Sequence, residues 1–284
     1  MTIAISIKVH DGIVLAADSA STIATLTPEG GTAVINIYNT ARKIFNLYRG
    51  LPIGLLTWGA GSLGQASIST LTKDLRLRLM GKDPSQEDYK LDPEKYSVKQ
   101  VASLVRRFFF EEKYTEQLGQ SPPDLSLGFI VAGYSPGEDL AEEWKILINK
   151  GNCPEPKPVR PKDDTGVTWA GEQEVMNRLI FGYGTELDKV LSEIKVPQDQ
   201  IPKIINFIKL KLTKAWHYAA MPIKDAIDLA KFFAEATIMY SRFAPGAPTV
   251  GGPVDVAAIT KHEGFKWIQR KLWYPAELNP KREG

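Results

Sequence analysis

The stretch Thr2-Ile-Ala-Ile-Ser-Ile-Lys-Val-His-Asp-Gly-Ile-Val-Leu-Ala-Ala-Asp-Ser19 decides how the rest of the chain is read. Ile3, Ile5, Ile7 and Val9 alternate with Ala4, Ser6 and Lys8, the period of a half-buried strand. His10-Asp11-Gly12 interrupts, and Ile13 to Ala17 begins a second strand. A two-residue loop would split Ile3, Ile5 and Ile7 from Ile13 and Leu15 across opposite faces. A three-residue loop with Gly12 in the left-handed conformation sets Val9 opposite Ile13, Ile7 opposite Leu15 and Ile5 opposite Ala17. A one-residue slip flips every side chain, so burial of a single face selects the three-residue loop.

In that register the other face carries Thr2, Ala4, Ser6, Ala16 and Asp18. Asp18 is then opposite Ala4 and roughly 7 Å from Thr2 by diagonal-pair geometry. Initiator Met1 is commonly removed when a small residue follows, which would leave Thr2 with its hydroxyl beside a free α-amine. Such an amine titrates near ~8 and can take the hydroxyl's proton around neutral pH. The plainer reading makes Thr2 the first residue of an edge strand.

Thr2-Ile-Ala-Ile-Ser followed by Asp11-Gly-Ile-Val-Leu-Ala-Ala-Asp-Ser19 resembles the opening of proteasome-type β subunits, members of the N-terminal nucleophile hydrolases. In that family a mature N-terminal threonine precedes, by sixteen residues, the aspartate of an Ala-Asp-Ser run, and Thr2 and Asp18 keep that distance. The resemblance implies a four-layer αββα sandwich, two antiparallel sheets face to face with helices outside. The order of strands, two helices, strands, several helices and a final strand fits that architecture.

Arg42 to Leu47 reads as a third strand and Leu51 to Thr57 as a fourth, joined by a turn at Arg49-Gly50. The resemblance makes Lys43 the ammonium between threonine and aspartate. Paired with Asp18 it stays charged, and beside the amine it disfavours a second positive charge, keeping that amine able to accept a proton. Lys8 and Arg42 read as ordinary exposed strand-end cations. Thr57-Trp-Gly-Ala-Gly-Ser62 leads into a helical pattern at Ile68, Leu71, Leu75 and Leu79; a glycine turn before a helix offers N–H groups to an oxyanion. The resemblance points to Gly59 as that donor, with Trp58 as the alternative.

Ala20 to Gly31 is polar and longer than the family's link, either a flap beside the nucleophile or a surface loop; Thr32 to Tyr38 regains strand character. Ser97-Val-Lys-Gln100 opens a helix whose Val101, Leu104, Val105, Phe108 and Phe109 form a core stripe. Leu125 to Gly133 and Glu143 to Asn149 read as a buried strand pair, and the proline-rich Asn152 to Asp164 as an extended segment within the domain. Val167 to Glu172 is a turn before a helix over Gln173 to Phe181. There the family's serine-bearing run keeps Gly171 but places Glu172 where a hydroxyl is expected. Glu172 either grips the amine's ammonium form or serves as an ordinary helix N-terminal acid. Helices follow over Gln198 to Tyr218 and Ile223 to Tyr240.

Pro248 to Ile259 resembles the family's last catalytic segment, a glycine pair leading into a strand. The family's preceding aspartate and serine are absent; Thr249 alone offers a hydroxyl, and Asp255, on the strand itself, is not their replacement. Ser19, Gly171 and Thr249 are the supporting positions the resemblance leaves. Trp267 to Trp273 is a further strand or docking segment.

With 35 Lys and Arg against 33 Asp and Glu, the net charge of +2 gives no case for electrostatic capture of nucleic acid. No apolar run reaches the ~20 residues that span a bilayer, and Lys8, Asp11 and Asp18 spoil a secretory pattern. The single Cys153 cannot form an internal disulfide and reads as a bystander, so the expected compartment is a reducing cytoplasm. His10, His217 and His262 have no ligand spacing, so neither a metal nor a cofactor is expected. The chain reads as one domain over residues 1–274 with a tail at 275–284. It is expected to be a threonine peptidase acting on peptides or unfolded protein, self-associating in rings or helical turns, with any unfoldase partner unspecified. The alternatives are a catalytically quiet structural subunit and an amidase for small amides.

Overall fold

The computed structural model describes residues 2–26, 32–118 and 125–271. Met1, residues 27–31 and the expected tail at 275–284 lie outside the described residues, as does the end of the Trp267 to Trp273 segment.

Among the described residues the chain is mixed α and β, with two antiparallel five-stranded sheets. The first is built from β1 (Ile3–Val9), β2 (Gly12–Ala17), β12 (Gly166–Gly171), β13 (Asp255–Thr260) and β14 (Gly264–Gln269), in the order β12-β1-β2-β13-β14. The second is built from β5 (Ile44–Asn46), β6 (Ile53–Gly59), β9 (Ser126–Gly133), β10 (Glu142–Asn149) and β11 (Lys157–Pro158), in the order β11-β10-β9-β6-β5. Two small ribbons accompany them: β3 (Ser21–Leu26) with β4 (Thr32–Tyr38), and β7 (Ser62–Leu63) with β8 (Ala66–Ser67).

The register of β1 on β2 corrects the sequence expectation. Val9 is opposite Gly12, Ile7 opposite Val14 and Ile5 opposite Ala16, so the loop has two residues, His10 and Asp11. The expected three-residue loop assumed that one face is wet. Both faces are dry: every residue of β1 and β2 is buried. Ile3, Ile5, Ile7, Val9, Val14 and Ala16 join one core with Met176, Ala230 and Phe233. Ala4, Ile13, Leu15 and Ala17 join another with Ile44, Leu56 and Ile130 of the second sheet. When both sides are covered, alternation no longer chooses a register.

The helices occupy the remaining faces. α1 (Ile68–Leu79) starts at Ser67, whose side chain accepts the Thr70 N–H, and buries Ile68, Leu71, Leu75 and Leu79 as its spacing predicts. α2 (Val98–Arg106) is capped by Ser97 through the Gln100 N–H and runs on as a π-helical stretch, Arg107–Tyr114, and the short α3 (Thr115–Leu118). Val101, Val105, Phe108 and Phe109 pack with Leu71, Leu75 and Phe129 in a third core against the second sheet. α4 (Glu174–Phe181) and α7 (Ile223–Phe243) cover the first sheet, while α5 (Leu187–Glu193) and α6 (Ile201–Leu212) lie between them in sequence. The helix expected over Gln198 to Tyr218 is therefore shorter, and α5 went unpredicted because its seven residues bury only Leu191.

Two further expectations are overturned. Val167 to Glu172 is mostly the edge strand β12, paired with β1 along its length, rather than a turn. Lys8 is 3% exposed, its ammonium 2.6 Å from the Lys162 carbonyl. Burial holds its pKa below the ordinary lysine value, against the pull of Glu143. Nearby, Ser6 donates to Glu143 at 2.5 Å and Arg160 donates to the same carboxylate at 2.8 Å, a polar knot tying β1 to β10. No helix among the described residues is long and apolar enough to cross a membrane.

Candidate functional site

Where β2 ends, Asp18 leaves the ladder with its carboxylate wholly buried. Its backbone N–H donates to the Ile3 carbonyl at 3.2 Å, so it is opposite Ile3 and not Ala4, as the corrected register requires. The carboxylate gathers four donors. Oδ1 accepts the Ile3 N–H at 3.0 Å and the Lys43 ammonium at 2.6 Å; Oδ2 accepts the N–H groups of Ala20 at 3.0 Å and Gly251 at 3.1 Å. Both carboxylate oxygens are thus fully engaged, three times by backbone N–H groups and once by the ammonium.

Lys43 precedes β5 and is 6% exposed. Burial lowers its pKa, with Lys271 adding to that, while the charge of Asp18 and its hydrogen bond oppose the shift. The result is an ammonium poised to give up a proton more readily than a surface lysine.

Thr2, Lys43 and Gly59 line one cleft of ≈ 400 Å³, with Ser21, Thr22 and Tyr38 of the β3–β4 ribbon along another wall. Of the polar segment after Ser19, Ala20, Ser21 and Thr22 line the cleft. Gly59 closes β6 at φ +92°, and a Cβ there would approach the Ser126 carbonyl to 2.3 Å, so only glycine fits. Gly171 is held as tightly: φ is +89°, and a Cβ would come within 1.9 Å of the Thr2 carbonyl. The next residue, Glu172, donates its N–H to that carbonyl at 2.6 Å. Its side chain accepts the Glu174 N–H at 3.1 Å, the posture of a helix N-terminal acid.

Other predicted positions fall differently. Ser19 is buried behind the cleft, donating to the Pro253 carbonyl at 2.5 Å and accepting from the Lys271 ammonium at 2.6 Å. Thr249 is buried but does not line the cleft. Its neighbour Gly251 reaches Asp18 through the backbone instead.

Sequence reasoning missed a second ion pair. Asp255, opposite Ala17 on β13, binds the Lys271 ammonium and accepts the Lys271 N–H at 3.0 Å; both side chains are almost fully buried. Asp255 is therefore committed to Lys271. The signal was present: an acid inside the apolar run Val254-Asp-Val-Ala-Ala-Ile259 forecasts a buried charge needing a partner. Its partner, sixteen residues on, could not be read locally. Arg42, expected as an exposed cation, is half-buried and lines the cleft beside Lys43.

The cleft thus offers a hydroxyl-bearing residue at a chain start, a buried ammonium–carboxylate pair and a glycine turn: parts for nucleophilic attack on a carbonyl. Among the described residues, no group of three or more His, Cys, Asp or Glu side chains is arranged to hold a metal ion. No family model matches the chain, and no curated protein matches it.

Proposed function

We propose that the chain is a threonine-type hydrolase of proteasome kind, cutting peptide bonds with Thr2 after removal of Met1. The observation that carries this reading is the Lys43–Asp18 pair, 2.6 Å apart and buried in the wall of the cleft that Thr2 also lines. The two dry-faced sheets, sharing one core and each with helices packed on its other face, support the four-layer αββα reading.

In this mechanism the Thr2 amine takes the proton of its own hydroxyl, directly or through a water, as Oγ1 attacks the peptide carbonyl. The positive charge of Lys43 favours the neutral amine and the developing alkoxide. The Gly59 N–H receives the oxyanion. Collapse breaks the C–N bond, the amine returns its proton to the leaving nitrogen, and an ester remains on Thr2. Water, deprotonated by the same amine, then hydrolyses that ester. The substrate is a peptide or unfolded segment laid between the ribbon and the Gly59 turn. The assembly is a ring or helical homo-oligomer in a reducing cytoplasm.

A second reading, a quiet structural subunit, is favoured by one observation: Asp255 is spent on Lys271 and Thr249 lies outside the cleft. Labelling with a threonine-directed electrophile, read by intact mass, separates the two. The active enzyme loses Met1 and gains one adduct, which Thr2→Ala and Lys43→Ala both abolish while the oligomer persists. Retained Met1 with no adduct leaves the quiet subunit. Turnover of small amides but not peptides would make it an amidase.

A further inference from the structure

A second cavity of ≈ 490 Å³ opens where the edge strand β5 of one sheet meets the edge strand β14 of the other, under α1. Among the described residues its walls carry Arg42, Arg49, Lys73, Arg76, Lys82 and Arg270 and no acidic side chain. These cations come from four separate places in the sequence, so no helix periodicity or local charge run explains their convergence. Arg76 is half-buried, its Nε shielded from solvent and, among the described residues, without a hydrogen-bond partner. Burial and the neighbouring Arg49, Arg270 and Arg42 push its pKa down to about 10. Lys73 is lowered as well, by burial first and then by Arg42, Arg76 and Arg270. Like charges gathered around one cavity destabilise the chain that holds them, and a bound anion reverses the sign of that cost.

We propose that this cavity binds a small molecule carrying a di- or triphosphate. Four guanidinium groups offer planar, paired donors that match phosphate oxygens, and two ammonium groups add point charge. Apart from Asn46 the remaining wall is apolar, with Phe45, Leu77 and Trp267, and the Arg270 guanidinium lies 4.7 Å from the Trp267 ring. A ligand with an unsaturated or apolar body attached to its phosphates fits both halves. The volume falls in the range of small-molecule sites, and a concave pocket on a chain of net charge +2 suits such a ligand better than a polynucleotide. Arg42 lines this cavity and the Thr2 cleft alike, so the ligand seats one residue from Lys43.

The test uses the full chain at low ionic strength with inorganic tripolyphosphate as the probe, by calorimetry and thermal unfolding. Wild type binds and its Tm rises. Arg76→Gln and the exposed-site variant Arg270→Gln each weaken binding about tenfold or more, the loss of a charge-assisted contact. Without ligand the signs cross: Arg76→Gln unfolds at a higher temperature than wild type, because a repelled, unpartnered charge is gone. No heat and no rise in Tm, or unchanged affinity in both variants, overturns the site. Citrate binding as tightly as tripolyphosphate overturns the phosphate assignment. A single-stranded oligonucleotide that binds more tightly through the same arginines replaces the small molecule with nucleic acid.

Discussion

Asp18 and Lys43 are unequal partners. Asp18 keeps three backbone N–H donors when Lys43 is replaced, whereas among the described residues Lys43 is ion-paired with Asp18 alone, at 2.6 Å. Breaking a buried pair from the acid side strands an ammonium, at a cost of about 3–5 kcal/mol. Asp18→Asn is therefore expected to lose more stability in urea unfolding than Lys43→Met, although both abolish labelling of Thr2. An equal loss would mean that the backbone donors contribute nothing. At Gly171 the effect is kinetic. Gly171→Ala drives a Cβ toward the Thr2 carbonyl and displaces Thr2, the proposed nucleophile, so labelling should slow by about 10²-fold in a protein that still folds. Tyr96 supplies a pH signature. It donates to the Tyr134 carbonyl at 2.7 Å, and burial pushes both phenols up to about 12. In the unfolded chain they ionise near ~10, so the unfolded state releases protons first and stability falls as pH rises from there toward 12. Tyr96→Phe should flatten that fall in Tm against pH.

At the scale of elements, the β1–β2 hairpin shows why a one-residue choice went the other way. Its alternation is real, but the small residues Ala4 and Ala17 face a second sheet rather than water. The β3–β4 ribbon contributes Tyr38 to the cleft while leaving Ile23, Val34 and Ile35 exposed. If the cleft is the proposed peptide groove, Tyr38 is one of its walls, so Tyr38→Ala should raise KM for peptides several-fold and leave kcat nearly unchanged. A fall in kcat alone would place Tyr38 with the chemistry instead. The stretch from α2 into the π-helix is a packing element. Phe109 is 4.5 Å from Phe129 and Phe108 stands edge-on to Phe109 at 5.2 Å. Phe108→Ala should cost about 3–5 kcal/mol of unfolding free energy, read from a denaturant midpoint.

For the whole molecule, three cores hold the layers together, and the polar groups between the sheets are as specific as the apolar ones. Glu143 is 2% exposed and binds Ser6 and Arg160, while Cys153 is a buried thiol raised to about 11, slow to alkylate at neutral pH. The strands β1, β2, β4, β5, β6, β9, β10 and β13, α1, the cap at Ser97 and the long α7 were legible in the chain, whereas β3 and β12 were not. So was the spacing of Thr2, Asp18 and Lys43, although only a family resemblance gave it meaning. What tertiary structure alone decided is the hairpin register, the burial of Lys8, the Asp255–Lys271 pair and the basic cavity. The reason is physical. Local pattern records which side of an element is apolar, and it discriminates only when the other side meets water. Here the first sheet is covered on both faces, and the decisive polar contacts join residues far apart, such as Ser6 with Glu143 and, 252 positions apart, Ser19 with Lys271.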